Sequence, residues 1–176
     1  MKSWDEIRRD ATQFAKNWRM AYDEKSQAQS FLLKFFEVFG VETRQTSTFE
    51  HRTKRLDGSQ GYIDLFWKGC ILIEMKSKGK NLDHAYEQAR AYTETLPPHE
   101  IPRAIVVSDF QNFHVYDLTR SAECTRFKLA DLRKYVKLFG MFLGLDSEPV
   151  HEQNPAGTER REIHQALRRC AGIFAQ

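Results

Sequence analysis

Two carboxylates and one ammonium carry the strongest chemical signal in this chain: Asp64, Glu74 and Lys76. Glu74 and Lys76 stand two apart in the run Cys70-Ile71-Leu72-Ile73-Glu74-Met75-Lys76, whose aliphatic character predicts a strand. Strand side chains alternate between faces, so Glu74 and Lys76 share one face while Ile71, Ile73 and Met75 take the other. Tyr62 to Trp67 reads as the partner strand, with Lys68-Gly69 as the tight turn of a hairpin. Cross-strand pairing can then bring the Asp64 carboxylate close to that of Glu74.

Two neighbouring carboxylates repel each other and lose solvation, which raises at least one pKa unless a cation neutralises them. Hard oxygen ligands favour Mg²⁺, or Mn²⁺, over zinc. Such an ion lowers the pKa of a bound water and offsets charge that builds up on a phosphorane. Lys76 can orient or deprotonate the attacking water and steady the developing negative charge. The predicted chemistry is hydrolysis of a phosphodiester. The plain alternative is an exposed Glu–Lys pair on an edge strand with Asp64 in a solvated turn. The hairpin, the helix after it and the basic clusters on both sides favour the first reading.

The remaining elements are those needed to hold such a hairpin. Residues 3–21 place Trp4, Ile7, Ala11, Phe14, Ala15, Trp18 and Ala21 at spacings of three and four, the mark of an amphipathic helix. A second helix, capped by Ser26 or Ser30 and ended by Gly40, carries Phe31, Leu32, Phe35, Phe36 and Phe39. Residues 41–48 suit an edge strand, rich in threonine and alternating in polarity. After the hairpin, Asn81 or Asp83 opens a helix through Leu96 that Pro97-Pro98 closes. Ala104 to Ser108 reads as a strand buried on both faces, Phe113 to Asp117 as a further strand, and Leu129 to Leu143 as a helix. Residues 146–158 read as a linker and 159–175 as the start of a following helical connector, so the predicted domain spans 1–145. The order predicts an α/β layered domain around a mixed sheet.

The chain has 176 residues, 41% hydrophobic and 29% charged, which fits one globular domain with a proper core. Acids stand at the start where a secretory signal would carry an apolar run, and Lys34 breaks the Phe31–Phe36 stretch well short of a membrane span. Three distant cysteines without CxxC spacing fit a reduced, cytoplasmic setting without structural zinc. The six histidines show no zinc spacing, and Cys70 reads as a small apolar residue. A net charge of +3 permits a nucleic-acid partner. The charge is gathered in His51-Arg52-Thr53-Lys54-Arg55, in Lys76-Ser77-Lys78-Gly79-Lys80, and in Arg160-Arg161 with Arg168-Arg169. Arg52, Lys54, Arg55, Lys78 and Lys80 are therefore candidate phosphate contacts.

Asp64-x9-Glu74-x-Lys76 resembles the PD-(D/E)xK nuclease motif, with Ile63 where the motif carries its proline. Gln88-x3-Tyr92, on one face of the following helix, resembles the QxxxY element of RecB-like members. More narrowly, the run from Gly61 to Tyr92 resembles the N-terminal domain of MmeI-like type IIL restriction–modification enzymes. Those enzymes join a nuclease domain, a helical connector, an adenine methyltransferase and a target-recognition domain in one polypeptide. The resemblance implies a restriction-endonuclease-like fold and cleavage of double-stranded DNA to a 5′-phosphate and a 3′-hydroxyl. It also implies Mg²⁺ on Asp64, Glu74 and the Met75 carbonyl, a catalytic Lys76, and Gln88 and Tyr92 bordering the site. Some superfamily members carry a further acidic ligand on the helix before the first strand, which makes Glu37 an accessory candidate. S-adenosylmethionine would belong to a downstream domain, since Asn154-Pro155-Ala156-Gly157 is not the NPPY loop. Two other readings stay open: a catalytically silent DNA-binding or assembly module, and a repair nuclease for branched or single-stranded DNA. Oligomer formation is open as well.

Overall fold

The computed structural model describes residues 1–41, 48–54, 60–120 and 123–144. The expected linker and connector, and most of the strand expected over 41–48, lie outside them. Helix α1 (Trp4–Trp18) starts at a capping box, in which Ser3 and Glu6 satisfy each other's backbone amides. Helix α2 (Glu24–Val38) is capped by Asp23, whose carboxylate accepts from the Ser26 amide and hydroxyl, rather than by a serine. At its other end Lys2 Nζ donates to the carbonyls of Glu37 and Val38 at 2.6 and 3.2 Å, so a residue before α1 closes the end of α2.

Six strands follow: β1 (Thr48–Lys54), β2 (Gln60–Trp67), β3 (Ile71–Met75), β4 (Ala104–Ser108), β5 (Asn112–Asp117) and β6 (Glu123–Lys128). They form one sheet in chain order. Every pairing is antiparallel except β3–β4, which is parallel and bridged by α3 (Leu82–Thr93). Both strands of that parallel pair are buried along their whole length, as its two covered faces require. The architecture is the α/β layered domain with a mixed sheet that the sequence predicts.

Strand β6 is missing from the sequence reading. It is an edge strand in which only Phe127 is buried, so its letters carry no apolar alternation. The helix expected over Leu129–Leu143 is also different. It breaks into a 3-10 turn (Leu129–Asp131), the single α-turn α4 (Leu132–Tyr135) and a 3-10 run (Val136–Leu143), with Phe139 outside helical geometry. Val136, Phe139 and Phe142 recur every three residues and are all buried. That spacing keeps one face inward at three residues per turn and drifts at 3.6.

The core has two unequal halves. On one face of the sheet, α1, α2 and the 3-10 tail enclose Phe14, Phe31, Phe35, Phe36, Phe39, Phe113, Phe139 and Phe142. Phe35 stands at its centre, edge-on to Phe139 at 5.1 Å and to Phe39 at 5.4 Å. On the other face, α3 covers Phe66, Leu72, Ile105 and Val107 with Ala85, Tyr86 and Ala89. Phe35→Ala should cost about 3 to 5 kcal/mol, because so crowded a ring environment cannot collapse into the space left. Lys34→Ala beside it, exposed and ion-paired with Glu37, should cost less than about 0.5 kcal/mol. Urea unfolding followed by circular dichroism measures both.

Candidate active site

The β2–β3 ladder runs Trp67 opposite Ile71, Phe66 opposite Leu72 and Leu65 opposite Ile73. Continuing this register by one pair sets Asp64 across from Glu74. The Asp64 carboxylate accepts a hydrogen bond from the Met75 amide at 2.7 Å, which ties it to the end of β3. Alternation sends Ile71, Ile73 and Met75 into the aromatic half-core, and Leu72 and Glu74 toward the α3 side. Beyond Met75, Lys76 still follows the edge of β4, its amide donating to the Ser108 carbonyl at 2.8 Å. Lys76 Nζ reaches back to Oε1 of Glu74. Glu74 is only 7% exposed, and its other oxygen, Oε2, is buried with no hydrogen-bond partner among the described residues.

A third carboxylate belongs to this group and was missed in the sequence. Glu24, the first residue of α2, lies 3.9 Å from Lys76 Nζ. Its Oε2 accepts from the Ser77 amide at 3.1 Å, and its own amide donates to Ser77 Oγ at 3.3 Å. This reciprocal pair fastens the N-terminus of α2, the favourable end for an acid, to the chain just past the lysine. Glu37 is not there. It sits at the opposite end of the same helix, roughly 20 Å along the axis at 1.5 Å per residue, exposed and ion-paired with Lys34 at 2.8 Å. Helix α2 does bring an acid to the site, but from its first turn and not its last.

Burial raises the Glu74 pKa to about 7, with Asp64 and Glu24 pushing the same way and Lys76 pulling against them. Burial alone would lower Lys76, but the carboxylates of Glu74, Glu24 and Asp64 raise it above its ordinary value. The lysine is therefore an ammonium at neutral pH. An unpartnered buried oxygen on Glu74, opposite a second carboxylate, fits a hard divalent ion that takes one or two protein carboxylates and completes its shell with water and phosphate. Among the described residues no group of three or more His, Cys, Asp or Glu side chains could hold a metal ion.

The other candidates are placed as follows. Gln88 and Tyr92 lie on the α3 side of the sheet, Gln88 half-buried and the Tyr92 ring edge-on to Phe66 at 5.7 Å. Phe66 is two residues beyond Asp64, so Tyr92 packs along the same strand face. Lys78 and Lys80 are exposed on the turn after Lys76. Arg52 and Lys54 lie on β1, opposite Tyr62 and Gln60. Arg55 lies outside the described residues. No helix among the described residues is long and apolar enough to cross a membrane.

A carboxyl raised toward neutrality binds a proton in the folded state that the unfolded chain has released, so it stabilises the fold below about pH 4.5 and loses that contribution as pH rises through about 7. Glu74→Gln should therefore raise the melting temperature at pH 8 and bring little change at pH 5. Thermal unfolding of both forms across that range checks the sign.

The comparison with curated proteins finds no match. Among solved structures, the cryo-EM structure of a DrdV–DNA complex resembles this chain with a TM-score of 0.49 and 16% identity, over 91% of this chain. The chain spans only 15% of that longer protein. Residues 9–160 match the family described as MmeI, N-terminal domain. With that match running through the hairpin, the helix after it and most of the remaining sequence, the chain belongs to the MmeI N-terminal domain family.

Proposed function

We propose that this domain is a Mg²⁺-dependent DNA endonuclease, the restriction part of a larger restriction–modification polypeptide, and that it hydrolyses phosphodiester bonds of double-stranded DNA. The observation that carries this reading is Glu74: a buried carboxylate beside Asp64, held by Lys76, with one oxygen unpartnered among the described residues. Such a group is costly to bury, and in a fold otherwise closed by aromatic packing it answers to a ligand rather than to stability.

Asp64 and Glu74 would hold the ion, with the Met75 carbonyl as a further ligand. The ion supplies an activated water and neutralises charge on the phosphate. Lys76 enters as an ammonium, so its part is to orient that water and stabilise negative charge rather than to take the proton. Glu24 holds the lysine in place and adds negative charge around it. Gln88 and Tyr92 would border the site from α3, as in the family resembled. Lys78 and Lys80, with Arg52, Lys54 and Arg55, would contact backbone phosphates, which position DNA without reading its sequence. Sequence recognition and any S-adenosylmethionine chemistry would then lie in other domains of the polypeptide.

A second reading is favoured by one feature. Lys76 on Glu74 and the Met75 amide on Asp64 compensate much of the charge without any metal, as a silent DNA-binding module would require. Calorimetric titration of Mg²⁺ or Mn²⁺ into the chain and into its Asp64→Asn/Glu74→Gln variant separates the two. The nuclease reading expects binding that the double variant abolishes and that strengthens as pH rises through about 7, where Glu74 loses its proton. Absence of binding, with and without a DNA duplex, would establish the silent module. In the natural polypeptide, Lys76→Ala should lower kcat for plasmid cleavage by about 100-fold or more with little change in KM; unchanged cleavage would remove Lys76 from the mechanism.

A further inference from the structure

The turn between β4 and β5 is built around a carboxylate that has no ion-pair partner among the described residues. Asp109 is 3% exposed, and the next residue, Phe110, is fully buried with φ +70°, a left-handed conformation that non-glycine residues rarely adopt. Oδ1 of Asp109 accepts from the amides of Gln111 (3.2 Å) and Asn112 (2.7 Å) and from Asn112 Nδ2 (3.0 Å). Those bonds close the turn, and an asparagine would serve them equally well. The second oxygen explains the acid. Oδ2 accepts from Asn112 Nδ2 and, 30 residues away in the chain, from the Gly79 amide at 3.1 Å.

Gly79 belongs to the segment that follows the catalytic strand, and every amide of that segment is committed. Ser77 donates to Glu24, Lys78 to the Tyr22 carbonyl at 3.0 Å, Gly79 to Asp109, and Lys80 to the Ser77 carbonyl at 3.1 Å. The backbone is thereby fixed while Lys78 and Lys80 stay exposed, with no ion pair among the described residues. The same turn grips the segment between α1 and α2, since Gln111 Nε2 donates to the carbonyls of Trp18 and Ala21 at 3.3 and 3.1 Å.

We propose that Asp109 is a positioning residue for DNA binding: through the Gly79 amide it holds the Ser77–Lys80 turn so that Lys78 and Lys80 meet successive phosphates of the strand entering the Asp64–Glu74 site. This rests on the DNA-binding reading above and assigns to that site an anchor that touches neither DNA nor metal. In Asp109→Asn the amide oxygen takes the three bonds of Oδ1, and its NH₂ is left facing the Gly79 amide, donor against donor. The link to the lysine turn is broken while most of the β4–β5 turn survives.

The sign of the effect separates position from charge. Removing a negative charge on its own strengthens binding to a polyanion, so weaker binding can only come from displaced lysines. Fluorescence anisotropy of a labelled DNA duplex, titrated with the 176-residue chain without Mg²⁺ at several salt concentrations, reads this directly. Lys78→Ala/Lys80→Ala should lower the salt slope of the logarithm of the binding constant by about 2, one per lost phosphate contact. Asp109→Asn should weaken binding by about fivefold and lower the slope by about 1. Added to the lysine double variant, it should cause no further loss, because it acts through the lysines alone. Gly79→Ala provides the same disturbance from the solvent side, where φ +80° disfavours alanine and no atom obstructs its methyl group. It leaves Asp109 and the core intact, so its non-additive loss holds even should Asp109→Asn fail to fold. Unchanged or tighter binding in both variants, or losses that add to those of the lysines, would overturn the assignment and leave the DNA reading standing. A wild-type chain that binds no duplex at any salt concentration would overturn both.

Discussion

A carboxylate at the end of a strand covered on both sides must be stabilised by something, and most of this structure near the site can be understood as supplying it. Glu74 cannot reach solvent freely, because Met75 and Ile73 beside it are core residues and α3 closes the opposite face. Its charge is met by Lys76, whose own burial is tolerable only because Glu24 and Asp64 surround it. Each of these groups raises the cost of removing another. Removing Lys76 would leave the carboxylates uncompensated, which is more costly than never having had the pair.

The sheet topology decides where this can happen. The single parallel step, β3 to β4 through α3, leaves the carboxyl ends of two adjacent central strands facing the same way. Lys76 emerges at one of those ends and the Ser108–Asn112 turn at the other. The antiparallel β2 returns alongside to contribute Asp64. Helix α2 meets this edge end-on with its N-terminus, whose amides are taken by Asp23 and Ser77, so it adds the pinned Glu24 carboxylate rather than bulk.

The hairpin was legible in the sequence because everything that defines it is local. Alternation along residues 71–76 fixes which face Glu74 and Lys76 take, and the Lys68–Gly69 turn fixes the register that brings Asp64 opposite. Glu24 was not legible, since no periodicity tells which end of a helix abuts a strand end 50 residues later. Glu37 was a choice of the right helix and the wrong terminus. Strand β6 escaped because an edge strand with one buried residue has no apolar pattern to show. The tail after Leu129 was read as α-helical because periods of three and of 3.6 differ little over so short a run. Asp109 carries no signal at all in the sequence: Asp-Phe-Gln-Asn is an ordinary turn until the second carboxylate oxygen is seen to reach Gly79.

The supports of the site differ from the hairpin in how far apart along the chain their partners lie, and this sets an order of assembly. Asp64, Glu74 and Lys76 can come together in the time it takes a hairpin to close, on the order of microseconds. Glu24 meets Ser77 across 53 residues, and Gln111 meets the carbonyl of Trp18 across 93. Contacts of that span form only once the intervening chain has been ordered, and they form slowly. A chain still emerging from the ribosome therefore holds Asp64, Glu74 and Lys76 together well before it holds the lysine turn in place. The surroundings of the hairpin are completed by the last docking events of folding rather than by synthesis of the motif itself.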